Sequence, residues 1–166
     1  LQPPTSGGAL VFKFPATAGS FGQLLQTDGS GVTSWTTAST KNVVTRSNSI
    51  YTGAFTTWAP TLLDATITLS STSSKVRISV TGQLGTNGGT GLATIYRGAV
   101  DVSGGSGLTS VNFAGTLYSV PCSMTFVDSP ATTGAVLYTF YVKDSTTGVH
   151  WNYQSQPCTI ILEELL

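Results

Sequence analysis

The sequence predicts an all-β fold: a short hairpin segment followed by one sandwich or barrel. Three observations carry this. Apolar and polar residues alternate in run after run, and the runs are separated by clusters of Gly, Ser, Thr, Asn and Asp. No stretch of ten residues combines a 3.6-residue period with good helix formers. At 166 residues there is room for one ordinary domain plus an appendage, and the reading divides the chain into a neck segment, 1–40, and a head domain, 41–166.

Taken in order, the opening Leu1-Gln2-Pro3-Pro4-Thr5-Ser6-Gly7-Gly8 lacks the basic start and apolar run of a signal peptide, so the chain reads as part of a longer protein. Residues 23–27 and 32–35 form two short strands around Asp28-Gly29-Ser30-Gly31. A hairpin this small cannot bury Leu24, Leu25, Val32 and Trp35 by itself, so these four are assigned to packing against a partner, either the sandwich or, more economically, identical copies of the segment about a symmetry axis.

Strand patterns follow at Asn42–Tyr51, Ala65–Leu69 and, most clearly, Lys75–Leu84, where Val76, Ile78, Val80 and Leu84 share one face. Others are Leu92–Arg97, Val120–Phe126, Val136–Val142, Val149–Tyr153 and the run through Ile160 and Leu162. A single helical turn is expected near Ala59–Asp64. Many short strands with such punctuation imply a sandwich or barrel.

Charged residues make up 8% of the chain, seven basic against seven acidic. That leaves no basic field for a phosphate backbone, so nucleic acid is not an expected partner. Apolar residues reach 40% and aromatics 10%, enough to offset the entropy of folding. No apolar run approaches the length needed to cross a bilayer, so membrane insertion is not expected. Cys122 and Cys158 lie in apolar alternating runs with no Cys-x-x-Cys spacing. Buried free thiols are favoured over a disulfide, and structural zinc is not supported.

His150 is the only histidine, and no Gly-x-Ser-x-Gly elbow is present, so neither a triad nor an enzyme is expected. It reads as a strand residue beside Trp151, one of the two pointing inward. Asp28, Asp64, Asp101, Asp128 and Asp144 read mostly as turn caps, although pairing two as glycosidase acid and nucleophile stays open. The glycine-rich Gly85–Gly91 joins two strands, lacks the Lys-Ser/Thr ending and opens no helix, so it reads as a loop and not a phosphate cradle. No cofactor is implied. Lys13, Lys41, Arg46, Arg77 and Lys143 read as solvated strand-face charges. Candidates for contact with a glycan or protein are the aromatics Tyr118, Tyr141, Trp151 and Tyr153 and the loop amides Asn87 and Asn112, because rings and amides anchor interfaces.

The segment Ala16-Thr17-Ala18-Gly19-Ser20-Phe21-Gly22-Gln23 through Asp28-Gly29-Ser30-Gly31-Val32-Thr33-Ser34-Trp35 resembles a motif of phage tail fibres and related virion fibres, where it precedes a globular head. Four further segments resemble a viral fibre head of the C1q/TNF-like jelly-roll kind. They are Ser71-Thr72-Ser73-Ser74-Lys75-Val76, Thr94-Ile95-Tyr96-Arg97-Gly98, Phe126-Val127-Asp128-Ser129-Pro130-Ala131-Thr132-Thr133 and Thr159-Ile160-Ile161-Leu162-Glu163-Glu164-Leu165. The resemblance implies a jelly-roll head, a homotrimer, a place on the virion as a surface or tail fibre, and attachment to a host glycan or protein receptor. A capsid-surface decoration without receptor binding is the alternative. Family members often carry Tyr-Ile-Asn-Arg before the last strand. Here Val149-His150-Trp151-Asn152-Tyr153 keeps the Asn and loses the Arg, so no role of that Arg carries over.

Overall fold

The computed structural model describes residues 13–38, 40–46, 51–115, 118–145, 148–152 and 156–166. The chain divides into two compact units, one within residues 1–38 and one spanning 39–166. The first contains β1 (Gln23–Thr27) antiparallel to β2 (Thr33–Thr37). A parallel bridge from Lys13 to Val32 lies beside the hairpin.

The second unit is an all-β, jelly-roll-like sandwich. One sheet holds β3 (Lys41–Arg46), β4 (Tyr51–Gly53), β6 (Lys75–Thr86), β10 (Tyr118–Asp128), β12 (Val149–Trp151) and β13 (Cys158–Leu165). The other holds β5 (Ala59–Thr68), β7 (Gly89–Arg97), β8 (Val100–Asp101), β9 (Thr109–Phe113) and β11 (Ala135–Asp144). β10 covers one edge of β6, while β13 and β12 share the other edge end to end and carry β3 and β4 outside them. In the second sheet β8 and β9 likewise share the outer edge of β7. Counting each shared edge as one interrupted strand leaves four strands per sheet. In chain order these run first, eighth, third and sixth in one sheet and second, seventh, fourth and fifth in the other, which is jelly-roll connectivity.

Strict alternation builds the core. β6 turns Val76, Ile78, Val80 and Leu84 inward, β11 turns in Val136, Tyr138, Phe140 and Val142, and β13 turns in Cys158, Ile160 and Leu162. Each large side chain so buried contributes about 1.5–3 kcal/mol. Trp151 and Phe140 meet across the sandwich with ring centroids 4.2 Å apart and a 45° tilt. Gly82 makes room for the indole: a Cβ there would lie 2.5 Å from the Trp151 ring.

One expectation is corrected, and another falls partly outside the described residues. Ala59–Asp64 is the start of β5, not a helical turn. Its inward residues are Ala59, Thr61 and Leu63, and the Thr61 hydroxyl donates to the Phe140 carbonyl at 2.8 Å where the β5–β11 register shifts. The expected strand over Asn42–Tyr51 is β3 and β4, with residues 47–50 outside the described set.

Both cysteines are buried free thiols. Cys122 pairs with Gly82 from one side of β6, and the Cys158 Cβ approaches Gly82 from the other. Two strand spacings of about 4.8 Å separate them, beyond the reach of a disulfide.

Candidate functional site

The head has a base and a tip. At the base Thr40 leads into β3 and the last strand, β13, ends; the β5–β6 and β10–β11 connections lie there too. At the tip lie the connections from β4 to β5, β6 to β7, β9 to β10 and β11 to β12.

Polar clusters close the base. The Glu164 carboxylate is buried. Its Oε1 accepts from Ser70 N at 2.7 Å and Ser70 Oγ at 2.6 Å, and its Oε2 accepts from Thr40 N at 3.2 Å and Thr40 Oγ1 at 2.8 Å. Burial raises the pKa of this carboxyl, but the Ser70 and Thr40 bonds outweigh it and bring it from an ordinary 4.5 down to about 2. Across the base, Arg97 Nη1 donates to both Asp128 oxygens at 3.0 and 2.9 Å, and Tyr138 Oη donates to Asp128 Oδ2 at 2.7 Å. The four motif segments therefore pair off: the hydroxyl-rich Ser71–Val76 corner with the closing strand, and the segment ending Arg97-Gly98 with the one containing Asp128. Asp128, expected as a turn cap, is instead an ion-pair partner.

The tip gathers three of the six contact candidates. Asn87 sits in the β6–β7 hairpin, and its N–H donates to the Gly148 carbonyl at 3.0 Å. Asn112 on β9 is exposed, and its Nδ2 donates to Thr90 Oγ1 at 2.7 Å. Tyr118 opens β10, is 55% exposed, and is tilted against Phe113 with centroids 5.6 Å apart. Tyr141 lies on the outer face of the second sheet, stacked on Tyr96 at 3.9 Å. Trp151 is corrected: its ring is wholly buried against Phe140 and over Gly82, so it has no surface to offer a ligand. Tyr153 lies outside the described residues.

Of the three ionisable groups near the tip, Asp144 is buried and Lys143 and His150 are half-buried. Asp144 is 1% exposed and accepts from Thr86 Oγ1 at 2.7 Å. The Lys143 ammonium lies 4.8 Å from the centre of the Trp58 ring. His150 is half-buried; burial lowers its pKa, against the opposing pull of the Asp144 charge. Among the described residues no three His, Cys, Asp or Glu side chains gather where they could hold a metal ion.

In the hairpin unit the polar motif residues hold their own backbone. Asp28 Oδ1 accepts from Ser30 N at 2.8 Å and Val32 N at 3.2 Å, and Gln23 Oε1 accepts from Ser20 N at 2.7 Å. Trp35 Nε1 donates to the Thr17 carbonyl at 2.8 Å, and its indole covers Gly19 so closely that a Cβ there would lie 2.7 Å away. Gly19 also has φ +75°, which few L residues adopt. Trp35 thus has a partner in its own segment and is half-buried, a correction to the expectation that it needs the sandwich or a further copy. Leu24, Leu25 and Val32 remain exposed, as do Phe14 and Phe21.

No protein-family model matches the chain, and no curated protein matches it.

Proposed function

We propose that this chain is the neck and head of a virion fibre, a homotrimer whose head attaches the particle to a receptor or glycan on the host surface. The hairpin unit is the observation that carries the reading. Its polar residues are engaged locally, while Leu24 and Leu25, adjacent in a strand, leave an apolar side chain exposed on each face. Facing both ways, the segment needs neighbours on two sides, which a closed ring of copies supplies and a single docked face does not.

The head supports the same arrangement. On the outer face of the β6 sheet, one row across the strands reads Val43, Ile161, Ser79 and Thr125, an uncharged set of β-branched and hydroxyl side chains suited to packing against a copy. Three tips held together would raise avidity without any new contact. Sedimentation of the full chain at micromolar concentration should give a trimer, and Leu24→Ser with Leu25→Ser should shift it toward monomer. A wild-type monomer removes the neck argument. Labelled trimer should also adsorb to host cells and compete with the parent particle. Failure to adsorb removes the attachment role.

A further inference from the structure

We infer that the tip recognises an uncharged glycan, bound by amide hydrogen bonds and aromatic contact, with no contribution from charge. This rests on the attachment reading and narrows its ligand. Among the described residues of the four tip connections, 54–58, 87–88, 114–115, 145 and 148, none is Asp, Glu, Lys, Arg or His. Of the ionisable groups in the flanking strand ends, one is buried and two are half-buried. Asp144 is buried against Thr86, the Lys143 ammonium covers Trp58, and burial of His150 favours its neutral form.

Charge in the head is concentrated toward the base. Lys41, Glu163 and Arg77 lie in one cross-strand row, Arg97 pairs with Asp128, and Lys75 opens β6. Arg46 lies farther up, opposite Cys158. Residues 84–92, 109–113 and 118–120, around Tyr118 and Asn112, include no charged side chain, so a sialylated, uronic or phosphorylated polymer would find no counter-charge there to replace the water it gives up.

The tip offers instead an exposed ring and an oriented amide. Tyr118 is held against Phe113, and the Asn112 amide is fixed by Thr90. Sugar rings present C–H faces to aromatics and hydroxyls to amides, and side chains already held in place lose little entropy on binding.

The test is binding of the full chain to immobilised neutral polysaccharides (glucan, galactan, mannan and chitin oligomers) and acidic ones (polysialate, polygalacturonate and heparin), at about 50 and about 500 mM NaCl, a range over which the screening length falls about threefold. The expected result is binding to a neutral polymer that changes less than about twofold with salt. Tyr118→Ala should weaken it about tenfold and Asn112→Ala several-fold. Lys75→Gln at the base should leave it unchanged. Circular dichroism and thermal melts of each variant separate lost binding from lost folding. Binding to an acidic polymer that salt releases overturns the inference and leaves attachment standing. Binding to neither class also overturns it, and the cell-adsorption measurement then decides whether attachment itself survives.

Discussion

Replacing Glu164 with Gln should destabilise the head at neutral pH and remove the part of its acid sensitivity that this carboxylate contributes. The carboxylate is 1% exposed and receives four hydrogen bonds, two from Ser70 and two from Thr40. A depression from 4.5 to about 2, at roughly 1.4 kcal/mol per pH unit, corresponds to about 3 kcal/mol of stability. Because the folded pKa lies below the unfolded one, that contribution is complete above about pH 4.5 and is lost as the pH falls toward 2. Gln keeps one acceptor oxygen but turns an NH2 toward a backbone N–H and a hydroxyl already placed as donors, so Glu164→Gln should lose most of the contribution at neutral pH. Urea titrations followed by tryptophan fluorescence at fixed protein concentration, from pH 7 down to pH 2, measure the gap between the two proteins. The gap should be about 3 kcal/mol at pH 7 and close toward pH 2. A gap under about 0.5 kcal/mol at pH 7, or one that does not narrow with acid, would refute the assignment of this carboxylate as the bracket of the base.

Two more outcomes follow from the packing around Gly82. Gly82→Ala should destabilise the head by about 1–3 kcal/mol through overpacking against Trp151, and an unchanged denaturation midpoint would contradict the observed contact. Cys122 and Cys158 should resist a thiol reagent in the native protein, both should react after unfolding, and mobility should be the same with and without reductant. Burial pushes the Cys122 thiol up to about 11, so labelling should stay slow even at pH 9. Rapid native labelling, or a cross-link lost on reduction, would count against the two-strand separation.

The strands were legible because both sheets bury one face, so Val76 to Leu84 and Val136 to Val142 carry their environment in their period. The start of β5 was hidden because its hydrophobicity is inverted. Thr61 points inward with its hydroxyl bonded to Phe140, while Leu62 points out. The alternation says that one of His150 and Trp151 points inward, but not which. What removes Trp151 from the surface is Gly82, nearly seventy positions earlier, and no local pattern reports a contact at that separation. The partners of Glu164 and Arg97 were equally remote. Their segments could be matched as motifs, but not as the two halves of one cluster. The tip was partly legible, since its uncharged loops can be read directly. That Asn87, Asn112 and Tyr118 share one end required the strand order.

The Glu164 bracket also fixes how the head bears load. Tension arriving at Thr40 pulls β3 lengthwise along β13, and were the tip held fast, the β3–β13 hydrogen bonds would be strained in parallel and not opened one by one. Thr40 stands in front of that ladder, tied to Glu164 of the last strand through its own N–H and carbonyl, with its hydroxyl proton shared between the Glu164 carboxylate and the Thr68 carbonyl of the neighbouring sheet. A tug on the chain therefore meets both sheets before it can peel the first strand away.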